Sequence, residues 1–139
     1  MKILDTDCFS EVAGGNGIYV PRFESIDKPL RGIPIIVAEE AFRGWLAKVR
    51  DLQSKGRMER LVWAYGKFQK AIEFIRDVKI LPYTPAAHEH YLRLKSQKLR
   101  IGTQDLRIAS IALAHDASLI TRNRRDFDIV PSLQLEVWN

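Results

Sequence analysis

The stretch that most limits what this chain can become is Gly102-Thr103-Gln104-Asp105-Leu106-Arg107-Ile108-Ala109-Ser110-Ile111-Ala112-Leu113-Ala114. Leu106, Ala109 and Leu113 recur at helical spacing, and Ile108 and Ala112 widen the stripe, so the segment predicts a mostly buried helix. Its small residues suit close packing on a sheet. Thr103 fits the N-cap, where a side-chain oxygen accepts an orphan backbone N–H. Asp105 then falls near the second helical position, where the helix dipole favours an acid. Ser118-Leu119-Ile120-Thr121-Arg122-Asn123 follows as a short strand ending in polar groups. Helix plus strand predicts that Asp105 and the 121–126 loop lie within reach of one another.

The remaining chain repeats that alternation. Residues 2–5 read as a buried strand with acids at its C-terminal end, and Asp5 and Asp7 share a face if the chain stays extended. Both acids also suit a turn or an N-cap before a helix at 7–13, and for Asp7 that role and a direct one stand level. Residues 14–17 form a glycine turn that is no phosphate loop, because no Gly-Lys-Ser/Thr follows. Residues 18–32 are broken by Pro21, Pro29 and Gly32, with room for a short helix around 21–26. Residues 33–37 are β-branched and predict a second strand. A helix follows from Ala38, with Ala41, Phe42, Trp45 and Leu46 on its buried face. Glu39 and Glu40 sit in its first turn, serving either the dipole or the sheet edge near Asp5.

Residues 48–78 predict a helical hairpin broken near Ser54-Lys55-Gly56, with Trp63 and Phe74 available for a second contact surface. A third strand at 78–81 leads to Thr84 and Pro85, which start a helix at about 86–97. His88 and His90 project about 200° apart on that helix, so they do not share a metal. The last strand is 133–137. Such alternation predicts one α/β domain over residues 1–139 with a mostly parallel sheet.

Totals narrow the class. At 139 residues the chain can bury a substantial core, and 46% hydrophobic with 28% charged residues is ordinary for a soluble globular protein. No apolar run approaches the roughly 18 residues of a membrane span. The apolar stretch at Met1–Asp5 is too short for a secretion signal. The single cysteine, Cys8, excludes an internal disulfide and a multi-cysteine zinc site, so a cytoplasmic setting is the simplest expectation. A net charge of +5 is compatible with a polyanionic partner. Arg93, Lys95, Lys98 and Arg100 lead into the Asp105 helix, and Arg122, Arg124 and Arg125 surround Asn123, which points to phosphate contacts beside the acids.

Asp5, Glu40, Asp105 and Asp126 all stand at element ends. In a parallel sheet they meet at one edge if the strand order makes their elements neighbours. Converging carboxylates call for a hard divalent cation with oxygen ligands, Mg²⁺ or Mn²⁺. Such an ion polarises water and stabilises charge on a phosphodiester.

Four blocks in this order carry a resemblance: Ile3-Leu4-Asp5-Thr6-Asp7; Val37-Ala38-Glu39-Glu40 with Gly44; Gly102 to Ala109; and Thr121 to Phe127 with Pro131 and Trp138. Together they resemble a PIN domain, and more closely a VapC-type toxin of bacterial type II toxin–antitoxin systems. The resemblance implies a three-layer α/β/α fold with a central, mostly parallel five-stranded sheet. It implies a metal-dependent endoribonuclease leaving 5′-phosphate and 3′-hydroxyl ends. By motif, Asp5, Glu40 and Asp105 match the family's first three acids, with Asp5 and Asp105 as direct metal ligands. Asp126 is favoured for the fourth position, with Asn123 orienting its loop and Asp7 an orienting group. Thr6 and Thr121 would supply hydroxyls, and Arg122, Arg124 and Arg125 would engage RNA phosphates. The resemblance also implies an antitoxin meeting the 48–78 hairpin, and a homodimer. The rival reading keeps the fold as a nucleic-acid-binding or regulatory module without chemistry.

Overall fold

The computed structural model describes all 139 residues. Its order is β1 (Lys2–Leu4), α1 (Thr6–Ala13), α2 (Tyr19–Glu24), a 3-10 turn (Lys28–Leu30), β2 (Arg31–Pro34), α3 (Ile35–Ser54), α4 (Met58–Asp77), β3 (Lys79–Leu81), α5 (Pro85–Ser96), α6 (Thr103–Ala114), β4 (Ser118–Thr121), α7 (Arg124–Phe127) and β5 (Leu135–Val137). The sheet runs β3-β2-β1-β4-β5, and every neighbouring pair is parallel. Helices around it complete a three-layer α/β/α arrangement, with α1 against β1 and β4 and α6 against β2 and β4. Strands 2 and 3 step outward on one side of β1, and strands 4 and 5 step outward on the other. The chain therefore reverses its winding beside β1, and in open α/β sheets ligands bind outside the strand C-termini at such a point.

The core is built from what the strands and α6 bury. Ile3, Leu4, Ile33, Leu119 and Ile120 are fully buried on the sheet, and Ile108, Ala109, Ile111 and Ala112 are fully buried on α6. Ser110 inside α6 meets no water and donates instead to the Leu106 carbonyl at 2.7 Å. Gly32 is required by close strand approach, since a Cβ there would lie 2.6 Å from the Lys79 carbonyl oxygen. A small separate cluster of Val49, Leu52 and Ala64, with Trp45 and Leu61 against it, holds the α3/α4 hairpin together near its tip. Lys55 and Gly56 make the turn, Gly56 with φ of +62°, a conformation that costs glycine little.

The second strand ends earlier than its β-branched run suggests. Pro34 takes an extended conformation as the N-cap of α3, so Ile35, Ile36 and Val37 are helical. Ile36, Val37 and Ala38 are buried, and tertiary burial overrides their strand preference. Glu39 and Glu40 consequently lie beyond the first turn of α3, where the dipole has faded. The hairpin's first arm is one 20-residue helix from residue 35. Phe74 is no second contact surface, because its ring packs on Phe9 and Phe23 in the core, whereas Trp63 is exposed and packs on Trp45.

Smaller departures are local. Gly102, not Thr103, is the N-cap of α6, which makes Asp105 the third helical residue. Strand β4 ends at Thr121 and β5 begins at Leu135. Asp7 does not share an extended face with Asp5, because α1 starts at Thr6. Thr84 does cap α5, its hydroxyl accepting from Ala87 N at 3.1 Å. His88 and His90 are separately engaged, by the Tyr83 hydroxyl and by Arg93.

Candidate active site

The site grows out of the middle of the sheet. Asp5 follows β1, and its backbone N–H donates to the Ile120 carbonyl at 2.9 Å, extending the ladder one residue past the strand. Its Oδ1 accepts the Cys8 N–H at 2.8 Å, capping α1. The cap and the placement at the strand end are thus one geometry: the alternatives open for Asp5 in sequence coincide. Burial pushes its carboxyl above the ordinary range, opposed by hydrogen bonds from the Thr121 hydroxyl and Cys8. The Cys8 thiol is buried and its pKa is raised by desolvation, which marks it as packing rather than a nucleophile.

A basin of about 190 Å³ opens over this edge, lined by Asp5, Thr6, Asp7, Glu40, Asp105, Asn123, Asp126 and Phe127. Five carboxylates and no lysine or arginine face it. Glu40 reaches it from the second turn of α3 and accepts the Thr6 hydroxyl at 2.5 Å. Asp126 arrives on α7, its Oδ2 accepting Asn123 Nδ2 at 2.6 Å. The Asn123 N–H in turn donates to Thr121 Oγ1 at 2.9 Å, which folds the loop back over the end of β4. Asp105 enters from the first turn of α6, and its carboxyl is pushed up to about 6. Desolvation is the largest cause; the charges of Glu40, Asp126, Asp5 and Asp7 follow. No three of these acids converge tightly enough to chelate one ion as they stand, so the basin is open rather than a closed cage.

The structure thus brings together Asp5, Glu40, Asp105, Asp126, Thr6, Asn123 and Asp7, all named from sequence. Thr121 lies fully buried beneath, touching Asp5 and Asn123. The three arginines are less uniform. Arg122 turns away to pair with Glu11 at 2.9 Å and to lie over the Tyr19 ring. Arg124 pairs with Asp128 on the exposed face of α7, and Arg125 is exposed without a salt bridge. Glu39, one residue from Glu40, leaves the basin: it bonds Gln104 at 2.8 Å and Arg43 at 3.1 Å. Neither the Glu11 clamp on Arg122 nor the Gln104 bridge to Glu39 carries a local signal, because the partners are 111 and 65 residues apart.

A second cavity, of about 430 Å³, lies between α1 and the α3/α4 hairpin. Phe9, Ala41, Trp45 and Trp63 supply its apolar wall, Lys48 and Lys67 its charge. It shares Thr6 and Glu40 with the acidic basin.

Comparison with known proteins follows the same outline. The chain is 34% identical over 70 residues to Ribonuclease VapC2 of Rickettsia felis, a match covering 48% of this chain and 52% of that protein. It is 36% identical over 74 residues to Ribonuclease VapC1 of the same organism, covering 48% and 55%. The matches span about half the length of these curated relatives. Across 99% of this chain and 98% of the other, the fold superposes with a TM-score of 0.75 and 26% identity on VapBC2 from Rickettsia felis, solved bound to a promoter DNA fragment. With DNA-bound VapBC from Salmonella typhimurium, over 99% and 98% of the two chains, the TM-score is 0.77 at 21% identity. The PIN-domain family matches residues 2–133, nearly the whole length over which the sheet and its acidic edge are built, and the chain is a member of that family.

Proposed function

We propose that this chain is a divalent-metal-dependent endoribonuclease, the toxin of a type II toxin–antitoxin pair. The observation that carries the reading is the uncompensated acidic basin at the switch point of a parallel sheet. Its donors are all hard oxygens, which fits Mg²⁺ or Mn²⁺ and excludes a soft-metal site. Openness fits too: Mg²⁺ keeps several waters and takes only one or two carboxylates. Asp5 and Asp105 would hold the ion, with Asp126 in support. A cation bound there polarises water and offsets charge on a scissile phosphodiester.

The chain's own groups divide the remaining work. Thr6 donates to one Glu40 oxygen, which leaves the other to orient a water molecule and take its proton. Asn123 fixes Asp126, and Thr121 fixes both Asp5 and the Asn123 loop. Arg124 and Arg125, exposed at the rim, supply the phosphate contacts; Arg122 does so only after release from Glu11. No helix is long and apolar enough to cross a membrane, in keeping with a cytoplasmic RNA as substrate.

The ribonuclease names of the relatives and the VapBC complexes among the structural neighbours support an antitoxin partner. Its docking surface in this reading is the α3/α4 hairpin, whose Trp63, Val62 and Met58 are exposed beside the basic cleft. A homodimer completes the proposed assembly. The test is induced expression of wild type against Asp5→Asn/Asp105→Asn, with sequencing of RNA ends. Growth arrest with new 5′-phosphate ends from wild type alone supports the nuclease. Folded, antitoxin-free wild type that produces no new ends would favour a binding module instead.

A further inference from the structure

We infer that Gln104 is a positioning residue: by bridging α6 to Glu39 on α3 it sets the separation of Asp105 from Glu40. The inference rests on the ion-binding reading of the acidic basin. Gln104 and Glu39 each stand immediately before a basin acid, on different helices. Gln104 Nε2 donates to Glu39 Oε1 at 2.8 Å, and Arg107 Nη1 donates to Gln104 Oε1 at 2.8 Å. Both ends of the amide are therefore used, and its orientation is fixed. Arg43 Nη2 donates to the second Glu39 oxygen at 3.1 Å. Arg107 itself lies over the Tyr91 ring of α5, 5.0 Å from the centroid. The result is a lateral chain, Arg43–Glu39–Gln104–Arg107–Tyr91, that spans α3, α6 and α5 just outside the basin.

Such a chain opposes a specific force. Asp105, in the first turn of α6, and Glu40, in the second turn of α3, are like charges, and among the neighbouring acids Glu40 acts most strongly on Asp105. Repulsion between them pushes α6 away from this part of α3. The bridge pulls them together one residue away, with a cation at each end of its polar part to offset the Glu39 charge. Because the Gln104–Glu39 bond is exposed, it contributes little to global stability. Its effect belongs in the geometry of the acids, where small displacements change ion affinity.

The test is Mn²⁺ binding to the full chain, read by the loss of the free-ion paramagnetic resonance signal and by calorimetry, beside thermal unfolding in chelator. Gln104→Leu keeps the side-chain volume and removes the bridge; it is expected to weaken Mn²⁺ binding by about tenfold, the low end for groups that orient ligands. Its metal-free Tm is expected to stay within about 2 °C of wild type. Glu39→Gln and Glu39→Leu remove the same charge, but only the former keeps an acceptor for Gln104. Glu39→Leu is expected to bind Mn²⁺ several-fold more weakly than Glu39→Gln. Gln104→Leu added to Glu39→Leu is expected to cost nothing further, as two halves of one interaction should. Wild-type affinity in Gln104→Leu, with binding abolished in Asp105→Asn, overturns this inference and leaves the ion site standing. Additive losses in the double variant overturn it as well. Failure of wild type to bind Mn²⁺ overturns the ion-binding reading and this inference together.

Discussion

The acidic edge of the sheet and the α3/α4 hairpin are incomplete in opposite ways. At the edge, charge is uncompensated but the main supports are buried: Asp5 caps α1, Thr121 is fully buried and α6 buries six of its twelve residues. At the hairpin, charges are paired or solvated but apolar side chains lack cover, with Met58 70% and Val62 67% exposed. The edge belongs to a core cluster of 28 buried residues, the hairpin tip to one of three. A reacting group must be held to a fraction of an ångström, which suits the proposed chemistry to the edge over the large core. A docking surface tolerates, and often uses, an element that opens more easily.

The largest expected effect bears on the edge. Asp5→Asn keeps an acceptor for the Cys8 N–H while removing the charge. RNA cleavage is expected to fall about 10³-fold or more, roughly 4 kcal/mol of barrier, with Tm little changed. A parallel loss of Tm would instead make Asp5 a structural residue alone. Measured cleavage rates and thermal unfolding on the same samples decide it.

Next come the two cores. Ile108→Ala in the main cluster is expected to cost about 3–4 kcal/mol of unfolding free energy, and Leu52→Ala in the hairpin cluster about 2 kcal/mol. Hydrogen exchange should show residues 45–64 opening below the global unfolding free energy, and α6 only with it. Uniform protection across both would break the comparison.

A smaller effect concerns Asp105 in chelator. Its folded-state pKa of about 6 exceeds its ordinary 3.8, so between those values the native state binds more protons than the unfolded chain. Stability from this group therefore falls as pH rises through that window and is restored as pH drops. Asp105→Asn is expected to be more stable than wild type at pH 7.5 by on the order of 2 kcal/mol. That margin should shrink steadily between pH 6 and 4. A margin independent of pH would sink the assignment.

The smallest effect lies at the rim. Arg124→Ala and Arg125→Ala should each weaken RNA binding and lower the salt slope by about 0.7, the increment for one phosphate contact on a single strand. Arg122→Ala should do less, because its pair with Glu11 and its place over the Tyr19 ring are less exposed than the Arg124–Asp128 pair. Binding isotherms at three salt concentrations separate the three arginines.

Much of this was legible one stretch at a time. Buried α6 follows from its apolar stripe, and the hairpin break from Gly56. The alternation of strands and helices is enough for the fold class. What misled was local preference: Ile35-Ile36-Val37 looks like strand, and only burial against the core makes it helix. That shift moved Glu39 and Glu40 out of the first turn and removed the dipole as their explanation. Asp126 and Asn123 both fall within the motif that carries the family resemblance, and the hydrogen bond that joins them is local.

By itself, then, the sequence determined that Asp5 closes a strand and that Asp105 opens a helix, because caps, turns and hydrophobic periods act over a few residues. Only the tertiary structure decided that those ends meet. Winding reverses beside β1 and sets β4 next to it, which brings Asp5 against Thr121 and the Asn123–Asp126 loop. Only tertiary structure, too, withdrew Arg122 to Glu11 and joined Gln104 to Glu39. Those pairings are set by strand order and helix packing over distances that no window along the chain contains.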